Sequence, residues 1–93
     1  MTAPTTKKRG PGYYGYQAAR GLRVYLNKAE DQGWPGAHIK AGGVWIDAEF
    51  AEDGDLLLQI EGGPTQRLEF EDALEAVRQA AIAAAICRLT QPA

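Results

Sequence analysis

The sequence contains no serine, one histidine (His38) and one cysteine (Cys87). Nucleophilic catalysis of the familiar kinds needs a hydroxyl or thiol held against a base, and this inventory predicts no such pair. Cys87 falls in an apolar helical run, so it reads as a buried, inert thiol. A single cysteine excludes an internal disulfide, which fits a reducing compartment, and one His with one Cys falls short of a zinc site. No run reaches the roughly 20 apolar residues needed to span a bilayer. Lys7, Lys8 and Arg9 are followed by Gly, Pro and Tyr instead of an apolar stretch, unlike a secretory signal. The glycine pairs at 42–43 and 62–63 fit neither phosphate-loop pattern, G-x-x-x-x-G-K or G-x-G-x-x-G. Together these absences predict a soluble protein that is not an enzyme and carries no metal or cofactor. They place it in the cytoplasm, or within a virion or other assembly, with no membrane partner.

What is present divides along the chain. Residues 1–40 carry seven Lys/Arg against two acids, a net +5, and residues 41–93 carry three Arg against ten acids, a net −7. Such asymmetry suits charged partners or contact between copies, and it equally suits two halves that pack together and neutralise each other. With 93 residues there is room for one domain with a modest core. Residues 1–15 hold no Val, Ile or Leu and are rich in Gly and Pro, which predicts a flexible basic arm. Residues 16–90 then form the domain.

A helix is predicted over 16–32. Ala18, Ala19, Leu22, Tyr25, Leu26 and Ala29 fill one arc, Arg20, Arg23, Asn27, Glu30 and Asp31 the other, and Val24 is left exposed. Gly33 suits a left-handed cap and Pro35 stops continuation. Strand alternation follows at 44–50, with Val44, Ile46, Ala48 and Phe50 on one face. Asp53-Gly54 signals a tight turn, and Leu56, Leu58 and Ile60 mark the return strand. After the turn at 62–65, residues 66–70 make a third strand with Leu68 and Phe70 inward, and 38–40 is a candidate edge strand. Asp72 and Glu75 read as a capping box opening a helix to Leu89. Leu74, Val77, Ala81 and Ala85 face its sheet, and further apolar faces (Ala76, Ala80, Ala83 and Cys87; Ile82 and Ile86) ask for a second cover. The expected fold is α+β: a helix, a three-stranded antiparallel meander, and a C-terminal helix packed on the sheet.

Three sets of candidate contact residues emerge. Asp47, Glu49, Glu52, Asp53 and Asp55 form an acidic hairpin suited to a basic groove on another protein. Asp47 and Glu49, joined by Glu61 or Glu69, have the chemistry of a divalent-cation site, but Arg67 is placed to pair with them, and a solvated face with cross-strand ion pairs is the simpler reading. Trp45, Leu57, Ile82 and Ile86 are apolar candidates for an interface. Lys7, Lys8, Arg9, Tyr13, Tyr14, Arg20 and Arg23 combine charge with rings, the composition of a nucleic-acid contact.

The order helix, three strands, helix resembles that of the double-stranded RNA-binding domain. Where that family carries a lysine-rich motif at the start of the second helix, this chain has Glu71, Asp72 and Glu75. The reading that accounts for most of these features is a protein–protein interaction or assembly module. It would serve as a structural subunit, self-associating through the Ala-rich helix, or as a small acidic inhibitor or adaptor. The second reading is nucleic-acid binding through the arm and first helix.

Overall fold

A computed structural model of the chain describes residues 10–90. The first helix, α1 (Pro11–Gln32), begins five residues earlier than the apolar periodicity suggested. Pro11 explains why: its fixed φ and missing N–H suit the first helical position, so a stretch that reads as arm on composition is helical from Pro11 onward. The expected arm otherwise falls on residues 1–9, outside the described residues. Ala18, Leu22, Leu26 and Ala29 recur at helical spacing and are buried. The helix ends at Gly33, whose φ of 75° places its N–H toward the carbonyls of Ala29 and Glu30. Tyr25, expected on the apolar arc, is 45% exposed at its margin, and Val24 is exposed as expected.

Four strands follow, one more than the sequence pattern indicated. They are β1 (Gly36–Ala41), β2 (Val44–Phe50), β3 (Leu56–Ile60) and β4 (Gln66–Leu68), in an antiparallel meander ordered β1-β2-β3-β4. The candidate edge strand at 38–40 is the centre of β1, which pairs along β2 from Gly36↔Glu49 to Ala41↔Val44. Its turn is Gly42-Gly43, with φ of 62° and 82°. Two consecutive positive φ values make the type I′ turn that matches strand twist. A side chain at Gly42 would also strike the Tyr14 carbonyl oxygen and the Ala18 methyl. Asp53-Gly54 does turn the chain between β2 and β3. Ala51 N–H donates to the Asp55 carbonyl (2.8 Å) and Gly54 N–H to that of Ala51 (3.1 Å).

The second helix, α2 (Phe70–Thr90), starts before the expected capping box. Phe70 is its first residue rather than the end of a strand, and Asp72 and Glu75 lie inside it. Glu75 does not reach back to cap. Its carboxylate accepts Arg78 Nε (3.0 Å), Arg78 Nη2 (2.8 Å) and Gln79 Nε2 (2.7 Å). A guanidinium one turn away outcompetes an exposed backbone amide for a carboxylate.

Both helices lie on one face of the sheet and against each other, α1 over β1 and α2 over β2 and β3. The core joins Ala18, Leu22 and Leu26 to Val44, Ile46, Ala48, Leu56 and Leu58, and to Ala73, Leu74, Val77 and Ala81 of α2. No polar or charged side chain is buried among the described residues. Each large aliphatic side chain so enclosed stabilises the fold by about 1.5–3 kcal/mol. The helices approach closely at Gly15, where a Cβ would sit 2.7 Å from Ile82 Cγ1. α1 thus supplies much of the second cover that the apolar character of α2 demands. Cys87, expected in the core, is exposed near the end of α2.

Candidate functional site

Because strand residues alternate between faces, the register fixes which side chains occupy the face opposite the helices. They are His38 and Lys40 of β1, Trp45, Asp47 and Glu49 of β2, Leu57 and Gln59 of β3, and Arg67 of β4. None of these is fully buried. Trp45 is the centre of the β1 side and 48% exposed. The His38 ring lies 5.6 Å from it at 30°, and Lys40 Nζ sits 5.7 Å from its ring centroid. Its backbone is anchored, since Trp45 N–H donates to Glu61 Oε2 (2.7 Å) and Glu61 N–H donates to the Trp45 carbonyl (2.9 Å). That reciprocal pair holds Glu61 at φ 54°, the one non-glycine positive φ among the described residues.

The acidic hairpin is divided by its neighbours. Asp47 and Glu49 share the open face, and Asp47 Oδ2 lies 3.5 Å from His38 Nδ1. Together with Leu57, Gln59 and Thr65 they line a shallow depression of about 300 Å³. Glu52 stands exposed in the turn. Asp53 and Asp55 are held by Arg67, at 2.6 Å from Nη2 and 3.4 Å from Nε. The Asp55 backbone N–H, then Arg67, hold the Asp53 carboxyl below the usual carboxylate range, and Asp53 in turn raises Arg67. Arg67 therefore serves the turn acids, not the Asp47/Glu49 pair that the sequence assigned to it. Among the described residues no three His, Cys, Asp or Glu side chains come together as metal donors. The hollow beside His38 and Asp47 is otherwise lined by Trp45, Ile46, Gln59 and Gly62, with no hydroxyl or thiol nucleophile.

The apolar candidates separate in the same way. Trp45 and Leu57 lie on the open face, Leu57 half-buried between Glu49 and Arg67. Ile82 is half-buried against Gly15 of α1, so an intramolecular neighbour takes it. Ile86 is 48% exposed, and Leu89, which the apolar pattern did not single out, is 56% exposed. No described helix is long and apolar enough to cross a membrane.

The described basic candidates divide between two surroundings. Lys7, Lys8 and Arg9 lie outside the described residues. Tyr14 is half-buried, its ring 5.4 Å from that of Tyr13 and 5.3 Å from the Arg88 guanidinium carbon. Arg20 and Arg23 line a groove between α1 and α2 with Gly12, Tyr16, Ala19 and Arg78. Arg78 gives no signal in the sequence as a member of this group, because the Glu75 beside it has the spacing of a cap. His38 and Lys40 are equally silent, because β1 has only one large apolar residue, Ile39, to mark its alternation.

Comparison with protein-family models, curated proteins and solved structures finds no match to this chain. The four-stranded sheet also departs from the three-stranded order that the double-stranded RNA-binding domain shares with the sequence pattern.

Proposed function

We propose that this protein is a non-catalytic interaction module, and that the open sheet face centred on Trp45 and Leu57 is its contact surface for another protein. The observation that carries this reading is that both helices pack on the same side, leaving the far side of the sheet uncovered among the described residues. An exposed tryptophan with a half-buried leucine, rimmed by Asp47, Glu49, His38 and Lys40, has the make-up of an interface: an aromatic anchor inside a polar rim. Asp47 and Glu49 on this face and Glu52 at its turn, which Arg67 does not hold, favour a partner surface with basic character. A His–Asp pair without an adjacent nucleophile supports binding over chemistry.

The test is site-specific photo-crosslinking from position 45, with position 31, on the exposed side of α1, as the control. The reading expects a discrete crosslinked protein, a second copy or a different chain, from position 45 and not from 31. Equal labelling from both positions, or none from 45, would sink it. Light scattering of the purified protein separates self-association from capture of a different chain.

A further inference from the structure

The groove between α1 and α2 has a chemistry of its own, unrelated to the open sheet face. It encloses about 440 Å³ and is lined by Gly12, Tyr16, Ala19, Arg20, Arg23 and Arg78. Three of six lining residues are arginines, contributed by both helices, so the cluster exists only once the two pack together. α1 carries no acid between Gly10 and Asn27. Its N-cap is Gly10, without a side chain to cap the first turn, so the positive end of the helix dipole adds to the guanidinium charge near Gly12.

Two of the arginines have partners. Arg23 Nη2 reaches Glu71 Oε1 at 3.4 Å, and Arg78 is forked onto Glu75. Both pairs are solvent-exposed, a class of ion pair that stabilises little. Each guanidinium has five N–H donors, so Arg78 retains three after its two bonds to Glu75, and Arg23 retains four. Arg20 has no ion pair among the described residues and is exposed. Tyr16, at 58%, is the most exposed large aromatic side chain among the described residues and meets no ring or cation there.

We infer that this groove binds a nucleotide unit, its phosphate held by Arg20, Arg23 and Arg78 and its base laid against Tyr16. Guanidinium forks match phosphate oxygens in geometry and charge. An open aromatic ring beside such forks is the second half of the pattern by which nucleotides are held without reading their sequence. Inorganic phosphate would use the arginines and leave the ring idle. The unit comes either free or as part of a single strand, and both present the same phosphate and the same flat base.

The test is fluorescence anisotropy of the full chain with a labelled oligothymidine of about twelve residues, in about 50 mM salt, with AMP as competitor. Arg20→Ala and Arg78→Gln are each expected to weaken binding about tenfold or more. Each should also shallow the salt dependence by about 0.7 in log–log slope, as expected when one fewer phosphate of a single strand is neutralised. Tyr16→Ala is expected to weaken binding about tenfold with the slope unchanged, and Tyr16→Phe to restore it. Displacement of the strand by AMP at equal affinity assigns the site to free nucleotides; much tighter binding of the strand assigns it to single-stranded nucleic acid. The inference is overturned if neither ligand binds at low salt, or if binding survives Arg20→Ala. It is also overturned if inorganic phosphate or a phosphopeptide competes as well as AMP. Should Arg78→Gln unfold the chain by circular dichroism, Arg20, exposed and without an ion pair among the described residues, decides the question.

Discussion

The two faces of the sheet are made from alternate residues of the same strands, yet they follow different rules. Beneath the helices, Val44, Ile46, Ala48, Leu56 and Leu58 are all 2% exposed or less. On the other side, their immediate neighbours Trp45, Asp47, Glu49 and Leu57 are partly or well exposed and mix charge, ring and aliphatic groups. The first face is shaped by the energy of removing apolar surface from water, and so tolerates little beyond volume-conserving change. The second contributes cross-strand contacts worth a fraction of that, which leaves its residues free to be chosen for something other than stability.

Neighbouring residues on one strand provide the sharpest way to break this comparison. Ile46→Ala should cost about 2–5 kcal/mol in urea unfolding, because it leaves a cavity under both helices. A cost below about 1 kcal/mol would mean that the covered face is not close-packed. Gly15→Ala should follow, at about 1–3 kcal/mol, since its Cβ would press on Ile82 and force the helices apart. An unchanged midpoint would show that Ile82 yields and that the close approach is incidental. Trp45→Ala should cost no more than about 1 kcal/mol while abolishing any partner contact made through the open face. A destabilisation as large as that of Ile46→Ala would move Trp45 into the structural class and undo the distinction.

The smallest expected effect concerns the outer surface of α2. The hydrogen bonds from Arg78, then Gln79, hold the Glu75 carboxyl at about 2, below its ordinary 4.5. A carboxyl depressed in the folded state contributes stability in full above the unfolded value and loses it as pH falls toward the folded one. Glu75→Gln should therefore lower the denaturation midpoint slightly at about pH 6, and the difference should fade across the window from 4.5 to about 2. A difference that persists at the acid end would assign the role of Glu75 to geometry rather than charge.

Much of the covered face was legible from the chain because burial imposes a period. Leu22, Leu26 and Ala29, the Val44–Phe50 alternation, and Leu74, Val77, Ala81 and Ala85 all fell where the spacing placed them. The start of α1 was not legible, since Pro11, Gly12 and Tyr13 carry no apolar period and only the N1 position of Pro11 betrays the helix. β1 was marked by Gly42-Gly43 between two extended runs, a type I′ signal that Ile39 alone was too little to reinforce. The capping-box reading of Asp72 and Glu75 failed because the helix starts earlier, at Phe70, and Glu75 has a nearer guanidinium to bind.

The candidate sites were legible in residue type more than in grouping. Trp45 and Leu57 were placed on the outer face by alternation alone, whereas His38 and Lys40 joined them only through pairing with β1. Arg20 and Arg23 were visible as charge on one helix, but Arg78 is 55 positions beyond Arg23 and meets them only when α2 docks. By itself the sequence determined the buried stripe of α1 and the inward face of β2 and β3, because hydrophobic periodicity is a local property of the chain, while Tyr25 and Cys87 stayed exposed against that pattern. Tertiary structure decided which charges share a surface, which acids Arg67 neutralises and which side of α2 is covered. Those outcomes depend on distances between segments remote in sequence, and no local pattern encodes them.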